Sequence, residues 1–197
     1  NHIKDLIHKR IRLISARVII EKINPQDWVI YKKRLQNVMG LSSAILMIET
    51  KCNLEKIKST LDAIIKEKKF NSFRVTTKRH YKGFKHTSID TNVELGSYIQ
   101  KITNAEVKLS GSEIHIIIEI LKDKTYVGYK KVIGFSGLPA CSQEKAISLL
   151  SSGIDSPVAS FEMIKRGVNL SFIHFHSYPA ISKQSIDNVK HLVKILT

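Results

Sequence analysis

The stretch that most constrains this chain is Lys145 to Ser156, which reads Lys-Ala-Ile-Ser-Leu-Leu-Ser-Ser-Gly-Ile-Asp-Ser. A short apolar run of Ala146, Ile147, Leu149 and Leu150 stops at Ser151-Ser152-Gly153. Pro157 follows, and Val158, Ala159, Phe161, Met163 and Ile164 then recur at helical spacing. An apolar run, a turn of small residues and a helix start is how a parallel strand delivers a turn to a helix N-terminus. Such a turn aims several backbone N–H groups and a positive helix end at one spot, which suits phosphate. Ser151 and Ser156 add hydroxyl donors, and Gly153 lets backbone approach a ligand without a Cβ in the way. Pro157 fits the first helical turn, where its missing N–H costs nothing. No Gly-Lys-Ser/Thr ending is present, so no lysine is placed to bridge outer phosphates. The plainer alternative is an ordinary buried strand followed by a polar turn.

The pattern continues downstream. Gly167 closes the helix, and Val168 to Phe175 is a second apolar run, so strand, crossover helix and parallel strand form a βαβ unit. The loop His176-Ser177-Tyr178-Pro179 precedes a helix over 182–196, with Ile186, Val189, Leu192, Val193 and Leu196 facing inward. Two strands do not make a stable doubly wound sheet, so the rest of this domain is expected beyond Thr197. The start at Asn1 without methionine fits the same reading of the chain as a fragment.

Upstream, Ile3, Leu6, Ile7 and Ile11 fall at helical spacing over His2–Leu13, and Ala16 to Ile23 is β-branched and reads as a strand. Asn24-Pro25 opens a helix from about Gln26 to Val38, closed by Gly40, and Ser43 to Glu49 is a further strand. Asn53 caps a helix with Leu54, Ile57, Leu61, Ile64 and Ile65 on one face. Phe73 to His80 is a strand running into Tyr81-Lys82-Gly83-Phe84-Lys85-His86. Thr87 and Asp90 form a capping box before a helix expected to bury Ile89, Val93, Gly96, Ile99 and Ile102. Ile114–Leu121 and Tyr126–Ile133, joined by Lys122-Asp123-Lys124, are a hairpin, and 134–145 is a glycine- and serine-rich linker.

Charge bounds the partners. Lys plus Arg number 32 against 17 Asp plus Glu, a net +15. From Ala146 onward only five basic residues (Lys165, Arg166, Lys183, Lys190, Lys194) face three acidic ones (Asp155, Glu162, Asp187), so nearly all the excess lies earlier. A basic module joined to a nearly neutral one points to a polyanion, most simply nucleic acid. Lysine enrichment from an AT-rich genome gives the same excess. Arg74, Lys78, Arg79, Lys82 and Lys85, interleaved with Tyr81, Phe84 and His86, are the best candidate RNA surface, the alternative being a solvated basic loop. No apolar run is long enough to span a membrane and no secretion signal is visible, so a soluble, cytoplasmic chain is expected. Cys52 and Cys141 form no Cys-x-x-Cys pair and indicate neither zinc nor disulfides.

The loop Ser151 to Ser156 resembles the Ser-Gly-Gly-x-Asp-Ser loop of the PP-loop ATP pyrophosphatases, with Ser152 standing where a glycine is usual. Phe73 to Ile99, with Arg74, Lys78-Arg79, Thr87-Ser88 and Glu94-Leu95-Gly96, is similar to the THUMP RNA-binding domain. Gly137-Leu138-Pro139, Leu149 through Ala159, Lys165-Arg166-Gly167-Val168 and His174-Phe175-His176-Ser177 resemble the tRNA 4-thiouridine synthetases, or tRNA sulfurtransferases. The resemblance implies an α+β and α/β chain of three parts. These are an N-terminal ferredoxin-like domain over 1–70, a THUMP domain over 71–133 whose profile boundary reaches back to about 26, and the first βαβ of a Rossmann-like PP-loop domain over 146–197.

By the same resemblance, ATP would meet Leu149, Leu150, His174 and Phe175 with its adenosine and Ser151, Ser152, Gly153, Ile154, Asp155 and Ser156 with its phosphates. Asp155 is the catalytic candidate, orienting Mg²⁺ or pyrophosphate, or else supporting the loop. The reaction implied is adenylation of the C4 oxygen of a tRNA uridine, followed by displacement of AMP by a persulfide sulfur. The sulfur donor would be a protein such as a cysteine desulfurase. Homodimers are common in the family. The family's downstream catalytic cysteine has no counterpart here, and Cys141 and Cys52 are read as inert small side chains over sulfur carriers. His174 and His176 are read as nucleotide or packing residues over metal ligands. A tRNA-binding module without catalysis, and another PP-loop tRNA-modifying enzyme, stay open as alternative functions.

Overall fold

The computed structural model describes residues 11–14, 17–66, 68–177, 179–180 and 182–197. These fall into two compact units, one of Ile45–Lys131 and one of Asn1–Ala44 with Val132–Thr197.

The first of these is built on a five-stranded sheet. Its strands are β3 (Ser43–Thr50), β4 (Ser72–Arg79), β5 (Glu106–Val107), β6 (Ile114–Ile120) and β7 (Thr125–Ile133), in the order β3-β7-β6-β4-β5. β4 and β6 are parallel, from Phe73↔Ile114 to Arg79↔Ile120, and β6 and β7 form the expected antiparallel hairpin. Helix α2 (Leu54–Ile65) starts where Asn53 accepts the amides of Glu55 and Lys56 at 2.9 and 3.3 Å. Its stripe of Ile57, Leu61 and Ile65 is buried. Helix α3 (Ser88–Thr103) starts at the Thr87–Asp90 capping box and ends at Asn104 in the left-handed region, where its N–H reaches Gln100 O. Ile57, Leu61, Ile65, Phe73, Leu95, Ile99, Ile116, Ile118, Ile120 and Val127 close one core. At roughly 25 cal/mol per Å² of apolar surface removed from water, this core is the dominant stabilising term of the unit.

The face of α3 differs from the one expected. It buries Thr91, Leu95, Gly96 and Ile99, while Ile89 and Val93 are 74% and 64% exposed. The helix is apolar on two sides, and polar contacts hold this one inward: Tyr98 donates to Asp62 of α2 at 2.7 and 2.9 Å, Asn92 Oδ1 accepts Thr77 N–H at 2.8 Å, and Glu94 pairs with Lys58 at 3.0 Å. Thr91 can be buried because its hydroxyl donates to Thr87 O at 2.7 Å.

The other unit begins with the hairpin of β1 (Ile11–Ile14) and β2 (Arg17–Ile20), paired Ile11↔Ile20 to Ile14↔Arg17. The expected helix over 2–13 therefore fails at 11–13, where β-branched residues pair across the ladder; residues 2–10 lie outside the described residues. Asn24 caps a 3-10 turn over Pro25–Asp27, and α1 (Trp28–Leu35) buries Trp28, Tyr31 and Leu35. This helix is shorter than expected at both ends, and Gly40 is not its cap. Gly40 sits at φ +79°, donates its N–H to Ser136 O at 2.9 Å, and lies so close to Pro139 that a Cβ would stand 2.8 Å from Pro139 Cα. The segment read as a linker is thus docked along its length: Leu138 N–H meets Lys165 O, and Gln143 N–H meets Gly167 O, both at 2.9 Å.

The βαβ unit follows as read. β8 (Lys145–Leu149) and β9 (Asn169–Ile173) are parallel, from Lys145↔Asn169 to Leu149↔Ile173. Helix α4 (Asp155–Lys165) joins them and α5 (Gln184–Leu196) follows, burying Val189 and half-burying Ile186, Leu192, Val193 and Leu196. On α4 it is Ser160 that is buried, not Val158: the Ser160 hydroxyl donates to Ser156 O at 2.7 Å and meets Ser148 Oγ at 2.7 Å.

Candidate functional site

The turn after β8 is exposed from Ser151 to Asp155, while Leu150 beneath it is buried and donates its N–H to Ile173 O at 2.8 Å. The loop is stitched by its own serines. Ser151 N–H donates to Ser156 Oγ at 2.9 Å, the two hydroxyls stand 2.9 Å apart, and Gly153 N–H donates to Ser151 Oγ at 3.3 Å. Helix α4 begins without a side-chain cap. The amides of Ser152, Ile154, Asp155 and Ser156 consequently have no acceptor among the described residues. A helix start with open amides and no cap carries a partial positive charge that an anion can meet.

Gly153 is outside the left-handed region, and a Cβ there would meet only Ser151 Oγ at 3.5 Å. Nothing among the described residues demands glycine there, so the position is open to close approach by a ligand. Ser152 is also outside the left-handed region, so serine costs no backbone strain there. Asp155 is exposed on the first turn of α4, with no side-chain partner among the described residues.

At the neighbouring strand end, His174 Nδ1 stands 2.8 Å from Leu150 O; a carbonyl only accepts, so Nδ1 carries the proton. The other His174 nitrogen and both of His176 are buried with no partner among the described residues. Leu149 and Phe175 are exposed, and Leu149 pairs with Ile173 on one face of the strand pair. No group of three His, Cys, Asp or Glu within metal-binding reach occurs among the described residues.

The basic segment of the other unit divides in two. Arg74 donates to Leu109 O at 3.0 Å and to His115 Nδ1 at 3.0 Å, so the His115 Nε2–H goes to Thr76 Oγ1 at 2.8 Å. Burial first, then the nearby Arg74, Lys131 and Lys78, hold the His115 pKa below the usual histidine range. Arg79 donates to Phe84 O at 3.2 Å and His86 O at 3.1 Å, folding the loop over itself. Phe84 is 8% exposed and belongs to the core, so it does not offer its ring as the sequence suggested. Lys78, Tyr81, Lys82 and Lys85 are exposed, with Lys78 4.0 Å from Glu119.

Known protein families match the chain over two stretches. The family model for the THUMP domain matches residues 51–130, and that for the thiamine biosynthesis protein ThiI matches 141–197. A probable tRNA sulfurtransferase of Bacillus licheniformis is 38% identical over 89% of this chain and 44% of its own length. Another from Clostridium acetobutylicum is 40% identical over 83% of this chain and 43% of its own. Over these residues the chain is similar to the tRNA sulfurtransferases. It spans about half the length of the curated relatives it matches. Among solved structures, a Pyrococcus horikoshii protein superposes with TM-score 0.78 at 29% identity, over 95% of this chain and 61% of that one. A 4-thiouridine synthetase in complex with RNA and bound ATP gives 0.71 at 24% identity, over 99% and 51%, which speaks to the fold.

For a tRNA sulfurtransferase relative, two features of the site were not read from the sequence. The hydroxyl of Ser152, set down only as a departure from a family glycine, has a buried partner in Ser185 at 3.2 Å, 33 residues away. Arg74 and Arg79, read as RNA contacts, are held by backbone carbonyls. Of the cysteines, Cys52 packs against the core and Cys141 is exposed, both as free thiols. No helix among the described residues is long and apolar enough to cross a membrane.

Proposed function

We propose that this chain carries the RNA-binding and phosphate-cradling parts of an ATP-dependent tRNA sulfurtransferase. The single observation that carries the reading is the set of open amides at Ser152, Ile154, Asp155 and Ser156 on an exposed, uncapped helix start. They receive the phosphates of ATP, and Gly153 keeps the approach clear. The adenosine lies against the exposed Leu149 and Phe175, over the strand ends fixed by Leu150 and His174. Asp155 holds Mg²⁺ or orients the leaving pyrophosphate through its free carboxylate.

Lys78, Lys82 and Lys85 neutralise tRNA phosphates, Tyr81 stacks on an unpaired base, and Arg74 and Arg79 hold the surface in shape. The uridine C4 oxygen attacks the α-phosphorus of ATP with loss of pyrophosphate; the terminal sulfur of a donor protein's persulfide then attacks C4 and expels AMP, and a thiol cleaves the C4–S–S linkage, leaving 4-thiouridine and a disulfide. Residues 134–145 join the THUMP part to the PP-loop part.

Calorimetric titration with ATP, beside filter binding of tRNA, tests the assignment. Gly153→Val is expected to abolish ATP binding and leave tRNA affinity within about twofold, since the added side chain fills the approach to the amides. ATP binding that survives Gly153→Val would sink the cradle, leaving a tRNA-binding module.

A further inference from the structure

Ser151 and Ser156 were the hydroxyls expected to donate to phosphate. In the folded loop both are engaged with each other: Ser156 Oγ accepts Ser151 N–H, and Ser151 Oγ accepts Gly153 N–H. Ser152 is different. Its Oγ accepts the hydroxyl of Ser185, in the first turn of α5, at 3.2 Å. One lone pair of Ser152 Oγ is therefore taken, and its own proton has no acceptor among the described residues. Ser185 is 8% exposed, and this is its only side-chain hydrogen bond among the described residues. A desolvated hydroxyl holds such a bond firmly, because losing it leaves a buried donor unmet.

We propose that Ser152 is a further phosphate-binding residue, donating its hydroxyl proton to an oxyanion of ATP. Ser185 is the positioning residue that aims it. The proposal rests on reading the loop as an ATP site and adds a side-chain donor to its amides. Fixing the rotor beforehand lowers the entropy lost on binding. A serine at this position is then a gain in donors and not a defect in the loop, since its backbone is unstrained.

Calorimetry of the 197-residue chain with ATP, and separately with inorganic pyrophosphate, tests this on Ser152→Ala, Ser185→Ala, Ser185→Thr and the double alanine variant. Ser152→Ala should weaken both ligands roughly tenfold, the worth of a hydrogen bond to a charged group. Ser185→Ala should weaken them about threefold alone and not at all on top of Ser152→Ala. Ser185→Thr, which keeps the hydroxyl, should restore binding. Equal losses from Ser185→Ala in both backgrounds, or no rescue by threonine, would overturn the positioning role. Unchanged affinity in Ser152→Ala while Gly153→Val abolishes binding would overturn the donor role and leave the cradle standing. An unaltered chain that binds neither ligand removes the cradle itself, and this proposal with it.

Discussion

The five-stranded sheet and the β8–β9 pair are both built from apolar strands backed by two helices, yet they use their apolar residues differently. In the larger sheet, Phe73, Ile116, Ile118 and Ile120 are sealed under α2 and α3. In the smaller, Ile147, Leu149 and Ile173 stand exposed on one face, and the buried set is Leu150, Ser160, Ser185 and Val189. The larger sheet uses most of its polar groups in caps and internal pairs, Thr77 Oγ1 and Thr125 Oγ1 being buried without a partner among the described residues. The smaller leaves its amides, one carboxylate and one hydroxyl proton open at the strand ends. Stability is therefore concentrated in the first and unmet binding capacity in the second, as expected where a rigid scaffold and a ligand site are separate tasks.

Four measurements can break or sharpen that contrast. The largest effect should come from Leu61→Ala, which removes a fully buried side chain and should cost about 3 kcal/mol in urea unfolding followed by tryptophan-independent circular dichroism. Leu149→Ala, at 63% exposure, should stay within about 0.5 kcal/mol; equal losses would erase the contrast. Next, Tyr98→Phe strips the hydroxyl that bridges α3 to Asp62 and should cost roughly 1–2 kcal/mol. If it costs nothing, another contact chooses the buried face of α3.

Smaller again is the double change Lys82→Ala with Lys85→Ala. It should lower the slope of log affinity for tRNA against log salt by about 1.5 and leave ATP affinity alone. An unchanged slope would move the RNA surface elsewhere.

The smallest effect concerns His115, whose pKa is lowered in the fold. The unfolded chain binds its proton more readily, so the stability this residue contributes is present above its ordinary value near 6.5 and lost as pH falls through the folded value. His115→Gln should flatten the acid limb of the melting temperature below pH 6.5. An acid limb that keeps its slope would mean that other groups govern it.

What the sequence made legible was what is local. Asn53 and the Thr87–Asp90 box fix helix starts within four residues, and Leu54, Ile57, Leu61 and Ile65 announce one buried stripe. The strand, serine turn and helix over 145–165 were readable for the same reason. What stayed hidden depends on partners far along the chain. Helix α3 carries two apolar faces, and partners far along the chain select between them: Asp62 and Lys58 of α2 and Thr77 of β4. Arg74, expected as an RNA cation, also bonds Leu109 O and His115 Nδ1, partners 35 and 41 residues away that the local sequence does not show. The short reach of α1 reflects the 3-10 turn at Pro25 and the pull of Gly40 toward Pro139, a contact between segments a hundred residues apart in order of magnitude.

The most direct test of the central claim is an amide ¹⁵N–¹H titration of the chain with inorganic pyrophosphate. The account predicts that the largest shifts fall on Ser152, Ile154, Asp155 and Ser156, with Leu61 and Ile118 unmoved. Shifts confined to Lys82 and Lys85 and their neighbours, with those four amides still, would contradict it.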